Sequence, residues 1–193
     1  MNMELTQAIE TRHSIRKYQA KQIQREDLEK VINAGLRAPN AGGRQGSFII
    51  GIHDRELTEK IGKLNIAKFD RSKLLGSYVS DEQPSIIDDP TIKSGFYGAP
   101  SVCVIFGPKD FLYSVADAFC CAENMVLMAT SLGLGSCIIA RGEETFDNPD
   151  GEKLLSQWQI PEGYVALCFV LLGYVDGNLP SAKKLHEGRF KIV

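Results

Sequence analysis

The chain has 193 residues, 44% of them hydrophobic and 24% charged, with a formal net charge of −2 and a pI near 6.0. That length suits one good core rather than two full domains, and the balance is that of an ordinary soluble globular protein. The near-neutral charge argues against a nucleic-acid partner, and no run reaches the roughly eighteen apolar residues that a membrane span needs.

In chain order, the opening "MNMELTQAIE" carries acids and lacks an apolar stretch, so no signal peptide is expected and the cytoplasm is the expected compartment. Residues 3–12 read as a first helix, with Leu5, Ala8 and Ile9 on one face. A second helix is expected from Glu26 to Arg37, where Leu28, Val31, Ile32, Gly35 and Leu36 form an apolar stripe. Pro39 stops it by disfavouring helix at Ala38. The glycine-rich "AGGRQG" of 41–46 leads into a strand, "SFIIGI". "DRELTEKIGKL" then reads as an amphipathic helix with Leu57, Ile61 and Leu64 inward. Residues 65–98 are polar and turn-rich, the pattern of a mobile excursion or lid rather than core.

"APSVCVIFG" restores a buried strand. Residues 114–135 are apolar nearly all round, the mark of a central helix, and stop at Gly133 and Gly135. On that helix Asp117, Glu123 and Asn124 are costly to bury unpaired, and are expected to cap loops or an interface. "SCIIA" is extended, "DNPDGEKLLSQWQ" a short helix, and "IPEGYVALCFVLLGYV" a turn followed by a long strand. The tail "GRFKIV" alternates as an added edge strand would. The pattern is α+β, one domain over residues 1–193, built around a central helix. Cys103, Cys120, Cys121, Cys137 and Cys168 show no CxxC spacing, so reduced thiols are expected and no metal site.

One short stretch carries an unusual chemistry for so neutral a chain. "TRHSIRKY", residues 11–18, sets Arg12, His13 and Arg16 around Ser14. Cations are favoured at a helix C-terminus, which would explain the cluster without function. An arginine fork also holds phosphate oxygens bidentately, and a serine hydroxyl donates to the same group. The cluster alone does not separate the two readings.

The rest of the chain does. "RHSIRKY", a helix ending in "LRAPNAGGRQG", then "APSVCVIF", "DAFCCAENMVLMATSLGLGSCII", "IPEGYVALCFVLLGY" and "GRF" together resemble the nitroreductase family of flavoproteins, over roughly residues 3–193. The resemblance implies an α+β fold with an antiparallel central sheet flanked by helices. It also implies a homodimer with FMN in interface clefts and a C-terminal strand exchanged between subunits. NADH or NADPH would reduce FMN, which would reduce a nitroaromatic, quinone or related small-molecule acceptor. The protein would need no metal and no catalytic side chain of its own.

The resemblance also assigns residues. Arg12 would hold the FMN phosphate, with His13 and Ser14 on phosphate or ribityl. Arg16 would lie on the pyrimidine side of the ring, where a fixed cation stabilises the charge left at N1 and O2 on reduction. Pro39, Asn40 and Gln45 match a segment that crosses to the partner's flavin, although Gly42, Gly43 and Gly46 depart from the family's pattern there. Asn65 would read the pyrimidine edge. Ile138, Ile139 and Ala140 would lie beside flavin N5, and Arg189 near the phosphate. Arg141, just beyond, is unexpected and would contact phosphate or acceptor. Two alternatives stay open: an FMN enzyme of this fold with another reaction (dehalogenation, heterocycle oxidation or flavin fragmentation), and a non-catalytic flavin binder.

Overall fold

The computed structural model describes residues 3–70, 72, 77–181 and 186–193. The parts of the expected 65–98 excursion at 71 and 73–76 lie outside the described residues. Helices α1 (Leu5–Thr11) and α2 (Arg25–Leu36) precede a single turn of tighter helix at Ala41–Gly43 and strand β1 (Phe48–Ile52). Helix α3 (Arg55–Ala67), strand β2 (Ser101–Pro108) and helix α4 (Ser114–Ser131) follow. The described elements end with β3 (Gly135–Ile139), α5 (Gly142–Phe146), α6 (Pro149–Gln157) and β4 (Tyr164–Gly173).

The four strands form one sheet in the order β1-β2-β4-β3, antiparallel at every pairing. Alternation along β2 and β4 divides the core in two. Cys103, Ile105, Cys168, Val170 and Leu172 face α2 and α4. Val102, Val104, Phe106, Phe169 and Leu171 face Ile61 of α3, Phe146 of α5 and Leu154 of α6. Both sheet faces are covered, which is why β2 and β4 read as unbroken apolar runs. Helix α4 packs through small residues, Ala118, Ala122 and Ala129, each fully enclosed. At its crossing with α2 a Cβ on Gly35 would stand 2.7 Å from Met125 Cγ, so glycine permits the approach.

Local chemistry sets the helix starts. The Asp54 carboxylate accepts from Leu57 N at 3.0 Å to begin α3. Asn148 Oδ1 accepts from Gly151 N at 2.9 Å, with Pro149 in the first turn of α6. Two of the three polar residues expected to be structural on α4 are so: Asp117 Oδ1 accepts from Ala41 N at 2.9 Å, and Asn124 Nδ2 donates to Ala34 O at 3.1 Å, whereas Glu123 is exposed.

The structure corrects the reading in three places. Residues 77–98 are not a lid lying off the core: Phe96 is fully buried, 4.9 Å from the Phe169 ring. Helix α4 stops at Ser131, where the chain turns through Gly133 at φ 74°, so Gly135 already belongs to β3. Helix α1 buries only Ala8, leaving Leu5 and Ile9 64% and 56% exposed. The tail 186–193 is expected to pair with a second copy; in the single chain it forms no strand, and Phe190 and Ile192 stand in solvent.

Candidate functional site

Arg12 caps the C-terminus of α1 and leaves it in extended geometry, φ −62° and ψ 128°. The chain then runs beside β3, with a parallel bridge between Ser14 and Ser136 and Ile15 N donating to Ser136 O at 2.9 Å. Ile15 is almost fully buried over Gly135, where a Cβ would approach its side chain to 3.1 Å. With Ile15 pinned inward, the period of two turns Ser14 and Arg16 to the other side. Arg12, His13, Ser14 and Arg16 thereby line one cleft of about 640 Å³, closed on its far wall by residues 78–83.

Arg16 is the hinge of that wall. Its backbone N donates to Gln83 Oε1 at 2.6 Å and its Nη1 to Gln83 O at 3.1 Å, while its guanidinium lies 5.9 Å from the Tyr97 ring centroid. Arg12 makes no hydrogen bond or ion pair among the described residues and is free to meet a ligand in the cleft. Beneath the motif, burial pushes the Cys137 thiol up, against the pull of Arg16, the Ser14 hydroxyl and Arg12, so the thiol stays neutral. The Tyr18 hydroxyl is buried there without a hydrogen-bond partner among the described residues, and burial raises its ionisation well above the ordinary phenol value.

The remaining expected residues fall in three places. Ile138 and Ile139 end β3 half-buried, and Ala140 is exposed beyond them. Asn65 reaches this point from α3, and its side chain is engaged. Its Nδ2 donates to Thr145 Oγ1 at 2.9 Å and to Ala140 O at 3.3 Å, and its Oδ1 accepts from Arg141 Nη2 at 2.7 Å. Pro39, Asn40 and Gln45 lie elsewhere, on the loop tied to Asp117 in the first turn of α4. Gln45 N donates to Asn40 Oδ1 at 2.8 Å, and Gly42 and Gly43 take φ 65° and 63° to make the turn. The motif sits at the other end of α4, whose 18 residues span about 27 Å. Arg189 is on the exposed tail, apart from the cleft.

A family model described as the nitroreductase family matches residues 9–174. The chain belongs to the nitroreductase family. A protein of Archaeoglobus fulgidus, provisionally named NADH dehydrogenase/NAD(P)H nitroreductase, is 30% identical over 172 residues, covering 89% of this chain and 85% of the relative. An NADPH-flavin oxidoreductase of Vibrio harveyi is 25% identical, over 92% of this chain and 71% of that protein. A nitroreductase of Bacteroides fragilis solved with bound FMN superposes with a TM-score of 0.78 and 29% identity, over 99% of both chains. The nitroreductase fold thus stands on sequence and structure alike.

Two partners of the motif had no sequence signal. Gln83 and Tyr97 meet Arg16 from a segment 67 and 81 residues away, inside a stretch whose composition reads as loop. No helix among the described residues is long and apolar enough to cross a membrane.

Proposed function

We propose that this nitroreductase-family chain is an FMN-dependent NAD(P)H oxidoreductase that reduces nitroaromatic, quinone or related small-molecule acceptors. The observation carrying this reading is the single cleft that collects Arg12, His13, Ser14 and Arg16 beside β3. Its residues fit the cofactor. Among the described residues Arg12 has no hydrogen-bond or ion-pair partner, although Glu10, Asp81 and Glu82 also line the cleft; two cations lie four positions apart on extended chain, and about 640 Å³ is within the range of ligand clefts. The names of the relatives, NAD(P)H nitroreductase and NADPH-flavin oxidoreductase, support the same chemistry.

Arg12 and Ser14 would hold the phosphate, and His13 the adjoining ribityl. Arg16 would place a fixed cation on the pyrimidine side, where it stabilises negative charge that develops on reduction. Ile138, Ile139 and Ala140 would form an apolar wall that keeps water from the reacting face. When bound, FMN would supply the redox chemistry, hydride acceptance from NADH or NADPH and electron delivery to an acceptor that would bind after the donor leaves.

The reading includes a cytoplasmic homodimer without nucleic-acid or membrane partners. Pro39, Asn40 and Gln45 lie on the loop tied to the first turn of α4 and the motif lies beside β3, which follows the other end of that helix; this separation supports a second copy bringing them to one flavin. The exposed Leu5, Ile9, Phe190 and Ile192 give such a copy apolar surface to cover, and Arg189 a route to the partner's phosphate. The test is the visible spectrum of the purified protein during anaerobic addition of NADH, then NADPH. Bleaching of a flavin band supports the reading and ranks the donors. A flavin that neither donor bleaches overturns it.

A further inference from the structure

Arg16 is held by neutral groups. Its backbone N donates to Gln83 Oε1 at 2.6 Å and its Nη1 to Gln83 O at 3.1 Å, with the Tyr97 ring centroid 5.9 Å from the guanidinium carbon. Both bonds join the same two residues, 67 positions apart, so the backbone and the head group of Arg16 are fixed together. Gln83 is fixed in turn: it is 4% exposed, and its N donates to Ser80 Oγ at 3.1 Å. Tyr97 holds left-handed backbone at φ 55°, a conformation unfavourable for a bulky side chain, and Ile86 N donates to its hydroxyl at 3.4 Å.

No carboxylate shares in this arrangement. Glu10, Asp81 and Glu82 line the cleft, but none forms an ion pair with Arg16 among the described residues. Glu82 Oε2 instead accepts from Ser181 N at 2.8 Å. The difference is electrostatic. A carboxylate against the guanidinium would cancel much of its field, whereas an amide carbonyl and an aromatic face orient the cation and leave its charge whole. The head group also stays accessible. Arg16 is half-buried on the cleft wall, and none of its nitrogens is both sealed and unpartnered among the described residues.

Resting on the reading that places Arg16 on the pyrimidine side of FMN, we propose that Gln83 is a positioning residue for the redox step. With Tyr97 it holds the Arg16 guanidinium as a fixed, uncancelled cation, and so sets the preference of the site for reduced over oxidised flavin. Gln83 acts through Arg16 and touches no reacting atom.

The experiment compares the midpoint potential of the FMN-loaded protein, titrated spectroscopically against a reference dye, with the Kd for oxidised FMN. Q83M keeps the length of the side chain and removes the acceptor at Arg16 N. It is expected to cut the preference for reduced flavin at least about threefold, within the net contribution of one hydrogen bond, which lowers the potential by about 14 mV for a two-electron couple. A residue that only supports the fold would weaken both redox states equally, so an unchanged potential in Q83M overturns the proposal, whatever happens to the Kd. R16Q should lower the potential further, and Q83M added to R16Q should lower it no more. A full Q83M effect in the R16Q background overturns the proposal, because Gln83 would then act without Arg16. Should Q83M fail to hold flavin, Y97L removes the ring beside the guanidinium, leaves Gln83 in place, and is read by the same two criteria. Failure of the underlying reading has its own signature: R16Q with the wild-type potential removes Arg16 from the ring and the proposal with it, and a flavin that nicotinamides do not bleach refutes the oxidoreductase reading without any variant.

Discussion

Replacing Arg12 with alanine isolates the phosphate contact from the rest of the molecule. Arg12 is only half-buried and has no hydrogen-bond or ion-pair partner among the described residues, so the unliganded fold should change by less than about 0.5 kcal/mol. The ligand contact is another matter. A charge-assisted hydrogen bond contributes about 1.5–3 kcal/mol, which is about 10- to 150-fold in Kd. Riboflavin lacks the phosphate and serves as the internal control. Fluorescence titration of the apoprotein should show FMN affinity falling by that factor in R12A while riboflavin affinity stays within about twofold. The wild-type advantage of FMN over riboflavin should also shrink as salt is raised. An unchanged FMN affinity, or equal losses for FMN and riboflavin, would refute the assignment of Arg12 to the phosphate.

Gly142 opens α5 against β4, and a Cβ there would stand 2.4 Å from the carbonyl of Ala166. Since backbone rather than a flexible side chain must yield, G142A should lose about 1–3 kcal/mol or more in urea unfolding. G46A, whose Cβ would lie 3.8 Å from Pro108, should barely move, and equal midpoints for the two would contradict the packing argument. Asp88 ties down residues 79–85 by accepting from Val79 N and Ser85 N, both at 2.8 Å. Burial raises its carboxyl, but these amides outweigh it and the net direction is down from 3.8. A lowered folded value means stabilisation present above the ordinary aspartate range and lost as pH falls through the folded value. Hydrogen exchange at the Val79 and Ser85 amides should therefore be slow at pH 5–7 and speed up only in stronger acid. D88N should exchange quickly throughout, and protection surviving in D88N would discount the carboxylate. Burial pushes the Cys103 and Cys168 thiols up to about 12. Neither should react with a thiol reagent at pH 8 without denaturant. Cys120, exposed on one chain, should supply the fast phase that C120S removes.

What the sequence conveyed, and what it withheld, follows from how far each interaction reaches. β2, β4 and α4 were legible because an apolar run with both sides enclosed has few alternatives to a central position. Arg12, Ser14 and Arg16 were legible as a group because extended chain after a helix places alternate residues on one side. α5 was missed: "GEETF" has no apolar period, and its start is imposed by left-handed Arg141, whose carbonyl accepts from Thr145 Oγ1 at 2.6 Å. The segment 77–98 was misread because its buried polar residues satisfy each other locally, as Ser85 does with Asp88 at 3.0 Å, and composition does not record pairing. The apolar face of α1 and the alternating tail were recognised as patterns, but among the described residues only Ala8 of that face is buried, and Leu5, Ile9, Phe190 and Ile192 stay exposed.

The course of residues 14–15 has a consequence beyond ligand binding. In the order β1-β2-β4-β3, β3 is a terminal strand whose outer backbone groups would otherwise be open to pairing with any extended peptide. Ser14 and Ile15 occupy part of that border, and Arg12 and Arg16 place charge on either side of them, as gatekeeper residues do. The basic motif is therefore also the cover that keeps one molecule from stacking onto the next. A substitution that detaches the segment, such as replacing Ile15 with a polar residue, would send the protein into insoluble aggregates before any cofactor assay could be run. Solubility, rather than colour, is the first property to score in a library at these positions.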